Sequence, residues 1–337
     1  MSKPVFPPSL MKYLLLLLAV MLVFVSIIIT WVLQKPESAQ SSQRTPTVKT
    51  ETVHRFKFGP VNRCSKIPPF IAGLGLQQPV AIDTLQSVYP GLLVRELQHQ
   101  QRFFQHPSWT GTGHVGSTVR DAAGNIYVIP FPSVGLDTNP MEKRNTVYKV
   151  DAVSAKMDIL LHLPMGSEHS TRNPFGTMGL AIDCDTNSLY VSSVADSTPQ
   201  QEEGVIYQID LDTKRIVDKW KNTDAIGLTV FNFADEKRLY FGSARSSSVF
   251  SVQLDATGGF AQPNASARHE LSLATIKNGN STQARKFNFS RDDSGQVILT
   301  VVETEFGFRM TAETGRRFKH YPFVLNKDKK RWEYQGN

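Results

Sequence analysis

Three stretches of the chain repeat one order of apolar and polar positions: GSTVRDAAGNIYVIP at 116–130, GLAIDCDTNSLYVSS at 179–193 and GLTVFNFADEKRLYFGS at 227–243. Each opens on Gly, runs through a short apolar stretch, breaks on Asp, Asn or Gly, and resumes as an aromatic strand. That strand contains Ile126-Tyr127, Leu189-Tyr190 or Leu239-Tyr240. Short apolar runs interrupted by turn residues read as β-hairpins. Each hairpin is followed by a third β-rich run, TVYKVD at 146–151, VIYQID at 205–210 and SVFSVQLD at 248–255. A fourth run follows each of these: MDILLHL at 157–163, RIVDKW at 215–220 and RHELSL at 268–273.

Four antiparallel strands recurring roughly every 45–60 residues predict the blades of an all-β propeller, because one blade alone cannot bury both of its faces. A further unit begins near Lys286 with KFNFSRDDSGQVILTVV, and a degenerate early one spans PVAID at 79–83 and GLLVREL at 91–97. HRFKF at 54–58 has strand character and is expected to complete the last blade and close the ring. The count is six four-stranded blades, with five as the alternative. A two-sheet sandwich is the competing fold.

The hydrophobic pattern changes before the repeats begin. Tyr13 to Leu33 carries no charged residue, and at 1.5 Å per residue it would span roughly 30 Å, the thickness of a bilayer's hydrocarbon core. It is longer than the core of a cleaved signal peptide, and Trp31 suits a membrane interface. The expected organisation is a short tail at 1–12, a transmembrane anchor at 13–33, a polar flexible linker at 34–53 and a propeller domain at 54–337. The basic residues on either side of the span nearly balance. The short N-terminal tail therefore decides for a single-pass protein with its C-terminal domain outside the cytoplasm.

Charge adds little to this picture. The formal net charge is +7, but the basic residues are scattered apart from Lys327 to Arg331, which reads as a solvated turn, and no nucleic-acid partner is expected. The two cysteines, Cys64 and Cys184, form no metal-ligand motif. They either bridge, if the domain sits in an oxidising compartment, or remain free thiols. Neither a phosphate-binding Gly-rich loop nor a GxSxG elbow occurs. Asn-x-Ser/Thr sites stand at Asn264, Asn280 and Asn288.

The pattern G-L-A-x-D-x-x-x-N-x-L-Y-V, here Gly179 to Val191, followed by G-x-I-Y-x-I-D-x-x-T, here Gly204 to Thr213, resembles the senescence-marker/gluconolactonase-like propellers and the related NHL and strictosidine-synthase-like repeats. The resemblance covers roughly residues 75–337. It implies a propeller and, in the lactonase branch, a divalent metal at the channel mouth. The metal's ligands there are carboxylate and Asn side chains where the innermost strands begin. In this chain the matching positions carry Val115, Met178 and Ile226, which offer no oxygen to a hard cation.

Polar residues flank those apolar positions. His114, Glu168, His169, Asn173, Asn222 and Asp224 lie in the segments leading to the innermost strands, and propeller geometry would gather such segments around one end of the channel. The loop at 130–146 is longer than a hairpin needs and carries Phe131, Leu136 and Met141 as candidate apolar contacts. The functional expectation is a membrane-tethered module that binds a small molecule or a protein at one propeller face, without a cofactor. The alternative is a lactonase- or esterase-type hydrolase with a displaced divalent metal held by His114, Glu168, His169 and Asp224, the histidines and carboxylates serving as ligands or as acid and base.

Overall fold

The computed structural model describes Met21 and residues 56–84, 89–130, 141–166, 174–262, 265–276, 282–308 and 318–336. Apart from Met21, the apolar span at 13–33 lies outside these residues, as do the linker, the loop at 131–140 and Asn264 and Asn280. Among the described residues no helix is long and apolar enough to cross a membrane.

The fold is an all-β propeller of five blades. A two-residue strand, β1 (Gly59–Pro60), precedes them. Blade 1 comprises β2 (Val80–Asp83), β3 (Leu93–Glu96) and β4 (Phe103–Phe104). Blade 2 is β5 (Val115–Arg120), β6 (Ile126–Pro130), β7 (Thr146–Val150) and β8 (Met157–His162). Blade 3 is β9 (Thr177–Asp183), β10 (Ser188–Ser193), β11 (Val205–Asp210) and β12 (Arg215–Lys221). Blade 4 is β13 (Ala225–Asn232), β14 (Lys237–Ser243), β15 (Ser248–Leu254) and β16 (Arg268–Ser272). Blade 5 is β17 (Gln283–Arg291), β18 (Val297–Thr304), β19 (His320–Asn326) and β20 (Arg331–Tyr334). Within blades 2 to 5 consecutive strands pair antiparallel, and the first strands β5, β9, β13 and β17 pack in succession around the axis.

The alternation in the second strands shows how the blades stack. Successive side chains of a strand point to opposite faces, and a blade between two neighbours buries both. Ile126 and Val128 of β6 enter the cluster shared with blade 1, while Tyr127 and Ile129 enter the one shared with blade 3. In β10, Leu189 and Val191 face blade 2 and Tyr190 faces blade 4. In β14, Leu239 and Phe241 face blade 3 and Tyr240 faces blade 5. The three tyrosines thus occupy equivalent places, each buried against the following blade.

The expected six blades and the closing role of 54–58 are corrected. Residues 56–75 form no blade, and β1 pairs with β13 of blade 4, Gly59 opposite Asn232 and Pro60 opposite Phe231. The segment runs as a strap beneath the ring. The Phe56 amide donates to Ala234 O (3.1 Å), Cys184 N to Val61 O (3.1 Å), Lys66 N to Asp121 O (3.2 Å) and Phe70 N to Ala152 O (3.1 Å). Cys64 and Cys184 are joined in a disulfide. The turns that the strap crosses are short because a tight hairpin leaves few backbone groups to satisfy. Asn187 supports one of them in the left-handed region at φ 50°, which Asn tolerates better than most residues.

Strand direction separates two faces. The strap and the turns 121–125, 184–187, 233–236 and 292–296 form the underside. The described parts of the connections after β6, β8, β10, β16 and β18 (141–145, 163–166 and 174–176, 194–204, 273–276 and 282, 305–308 and 318–319) all fall on the opposite side, the loop face.

Candidate ligand-binding face

The mouth of the channel on the loop face is apolar. Met178 and Ile226, at the starts of β9 and β13, are buried in one cluster with Phe175, Val194 and Ala244, and the half-buried Phe306 and Phe308 close over them. The two phenylalanines come from blade 5, whose chain leaves β18 and reaches toward blades 3 and 4. Phe306 meets Phe175 edge-on at 5.1 Å between centroids, Phe308 lies 6.4 Å from Phe175, and Phe306 and Phe308 are 5.3 Å apart. Such edge-to-face geometry is the preferred one for aromatic rings. Gln283 Oε1 fixes the segment by accepting the Phe306 amide at 3.0 Å. Val115, the third apolar position, is instead buried between blades 1 and 2 with Leu92 and Trp109.

A fixed cation borders this mouth. The Arg245 guanidinium lies 4.8 Å over the Phe308 ring. Its Nε donates to Asp224 Oδ2 at 2.6 Å, and its terminal nitrogens donate to Thr198 O (2.7 Å) and Pro199 O (3.1 Å). Asp224 is fully buried, and its Oδ1 accepts from the Gly204 amide at 3.0 Å and from the Ser197 hydroxyl. Burial pushes the Asp224 carboxyl above its ordinary value, while Ser197 and Arg245 pull it down. Both carboxylate oxygens are therefore committed, and Asp224 ties the 194–204 connection to Arg245. Arg144, also buried, donates to Pro174 O and holds the chain just ahead of β9. Burial lowers its proton affinity.

Of the predicted site residues, Asp224 borders the mouth as a tether. Asn222 is exposed in the turn before β13, in the left-handed region at φ 55°. His114 sits ahead of β5, where its backbone bridges Gly91 of blade 1. Glu168, His169 and Asn173 lie outside the described residues, as does the side chain of Met141. Among the described residues no three His, Cys, Asp or Glu side chains gather in a metal-binding group. Sequence reasoning missed Phe175, Arg245, Phe306 and Phe308. The available signal was the run EFGF at 305–308, where aromatic alternation continues past the end of a strand.

No protein-family model matches the chain, and no curated protein matches it. Solved structures similar to it include a Bacteroides ovatus protein described as xyloglucan PUL GH43B, at 12% identity and a TM-score of 0.40, covering 69% of this chain and 43% of that one. An endo-arabinase from Bacteroides thetaiotaomicron is 8% identical, with a TM-score of 0.37 over 63% of this chain and 75% of its own. A glucose dehydrogenase is 10% identical, with a TM-score of 0.29 over 68% and 94%. The five-bladed assignment rests on the strand pairing described above.

Proposed function

We propose that this chain is a membrane-anchored, extracytoplasmic binding module whose loop face takes a small molecule or a protein segment with an apolar or aromatic end. The aromatic mouth carries the reading: Phe306 and Phe308 remain half-exposed above a buried apolar floor, on a scaffold whose opposite face is tied down. Long connections on a rigid frame are where binding residues concentrate, and a concave apolar site edged by a few fixed polar groups is the usual form of a ligand site. Arg245 is pinned by four acceptors, so it edges the site without needing to reorganise. The disulfide supports a location in an oxidising compartment, in keeping with an anchor at Tyr13 to Leu33 and a polar tether after it.

A photo-crosslinking amino acid at Phe308, compared with one at Val153, tests the reading in native membranes. Val153 is 77% exposed on an underside turn, so it controls for accessibility. A defined adduct from position 308 and none from 153 is the expected result. Adducts from both positions alike, or from 153 alone, would overturn the assignment of the loop face.

A further inference from the structure

We infer that the ring is held shut by the disulfide-locked strap rather than by packing between its first and last blades, and that reducing Cys64–Cys184 loosens it at that seam. Apolar clusters join blade 1 to 2, 2 to 3, 3 to 4 and 4 to 5. Among the described residues no such cluster joins blade 5 to blade 1. The faces that flank this seam differ in kind from the others. On blade 5 the side chains opposite the buried row are Lys286, Asn288 and Ser290 of β17, all exposed, with the half-buried Ile298, Thr300 and Val302 of β18. On blade 1 the equivalent side carries the buried Leu93, the Asp83–Arg95 ion pair and Phe103, which is 38% exposed and leans on Tyr89. A sheet whose outer side is wetter and more polar than its inner one is how an open stack of repeats ends.

Nor, among the described residues, does any strand cross the seam, since β1 pairs with blade 4 and β2 to β4 pair with one another. The strap instead joins the two sides the long way round. At one end Phe58 packs edge-on against Phe231 at 5.4 Å and lies beneath Lys327 (5.5 Å) and Arg291 (6.0 Å) of blade 5. At the other end Phe70 packs 6.4 Å from Phe104 of blade 1 and 6.0 Å from Trp109. Between these ends the strap buries little. Val61 is its one deeply buried side chain from 60 to 66, and Ile67 is 61% exposed. The covalent bond to blade 3 therefore does in the middle of the strap what packing does at its ends.

Reduction is a two-electron exchange. An added dithiol attacks the Cys64–Cys184 bond, is oxidised to its own disulfide, and leaves two protonated thiols. The freed strap regains conformational freedom over the whole span between its ends.

Hydrogen–deuterium exchange on the full-length protein, before and after reduction by a dithiol, tests the inference. Peptides from β3 and β18 are expected to exchange about tenfold faster after reduction, while those from β10 and β14 keep their protection. The melting temperature should fall by about 5–10 °C. Cys64→Ser/Cys184→Ser should reproduce the reduced pattern. If that variant does not fold, reduction of the folded protein still supplies the measurement. Acceleration spread evenly over all blades, or confined to 56–70 and the 184–187 turn, would overturn the seam.

Discussion

On the underside, the turn at 184–187 is bonded to Val61, crosslinked to Cys64 and roofed by a buried polar cluster. In that cluster the fully buried Lys237 ammonium meets Asp183 at 2.5 Å and Asp185 at 3.2 Å, with Phe56 of the strap beneath it. On the loop face, the two phenylalanines that cap the mouth are half-exposed and held by one backbone bond to Gln283 and by ring contacts. One face concentrates its stability in dry, paired groups. The other leaves apolar rings in reach of solvent. Substitutions should therefore act on folding below and on binding above.

The largest effect should come from Tyr190→Ala. The ring is fully buried between blades 3 and 4, and its hydroxyl donates to Gly258 O in an underside turn at 2.6 Å. Truncation should cost about 3–5 kcal/mol of unfolding free energy in urea titrations. Next comes Asp183→Ala, which leaves Lys237 buried with a half-exposed carboxylate as its remaining anion. A loss of about 3 kcal/mol is expected in the same titration, and Asp183→Ala paired with Lys237→Met should recover much of it. Phe308→Ala should cost only about 1 kcal/mol, as befits a half-buried ring, yet abolish the adduct formed by a photo-crosslinking amino acid placed at the neighbouring Phe306. A stability loss equal to that of Tyr190→Ala would erase the difference between the faces.

Acid should act more gently and on the underside. Backbone amides of Ser154 and Val153 hold the Asp151 carboxyl below its ordinary value, and the Thr213 amide does the same for Asp210. The Ser294 hydroxyl and Gln296 amide do so for Asp292. These carboxylates stabilise the folded form above the unfolded value of 3.8, and their contribution fades as pH falls through and below it. Melting temperature should drop between pH 5 and about 2, and less steeply in Asp210→Ala. At the bottom of the scale, Lys329→Ala removes a 3.4 Å contact between two exposed side chains. It should move stability by less than about 0.5 kcal/mol.

The blades were legible because their pattern is local. A tyrosine between two apolar residues on a strand after a Gly-led hairpin predicts two-sided burial, and Tyr127, Tyr190 and Tyr240 are buried in that way. The strap was not legible. Its partners lie far away in sequence, its bonds are largely made by backbone, and a run such as Gly59-Pro60-Val61-Asn62 has no period to read. That is also why the cysteine pairing stayed open and why a sixth blade was expected from residues that form none. The mouth was half legible. Met178 and Ile226 announced an apolar opening, but Asp224 carries no mark in the sequence that Arg245 and Ser197 occupy its oxygens. Phe306 and Phe308 complete the cluster from a different blade, which no local window contains.

The strap is made before anything it binds. Within the propeller domain residues 56–66 leave the ribosome first, while Cys184 follows 120 residues after Cys64, and the backbone of 231–234 later still. At about 5–20 residues per second of synthesis, Cys64 waits several seconds or more as an unpaired thiol with no docking surface. Blade 2 can assemble in that interval, but the underside cannot be tied until blade 4 exists. The order of synthesis thus makes the earliest-made segment of the propeller domain among the last to settle, and it exposes that segment to any oxidant or mispairing thiol it meets on the way.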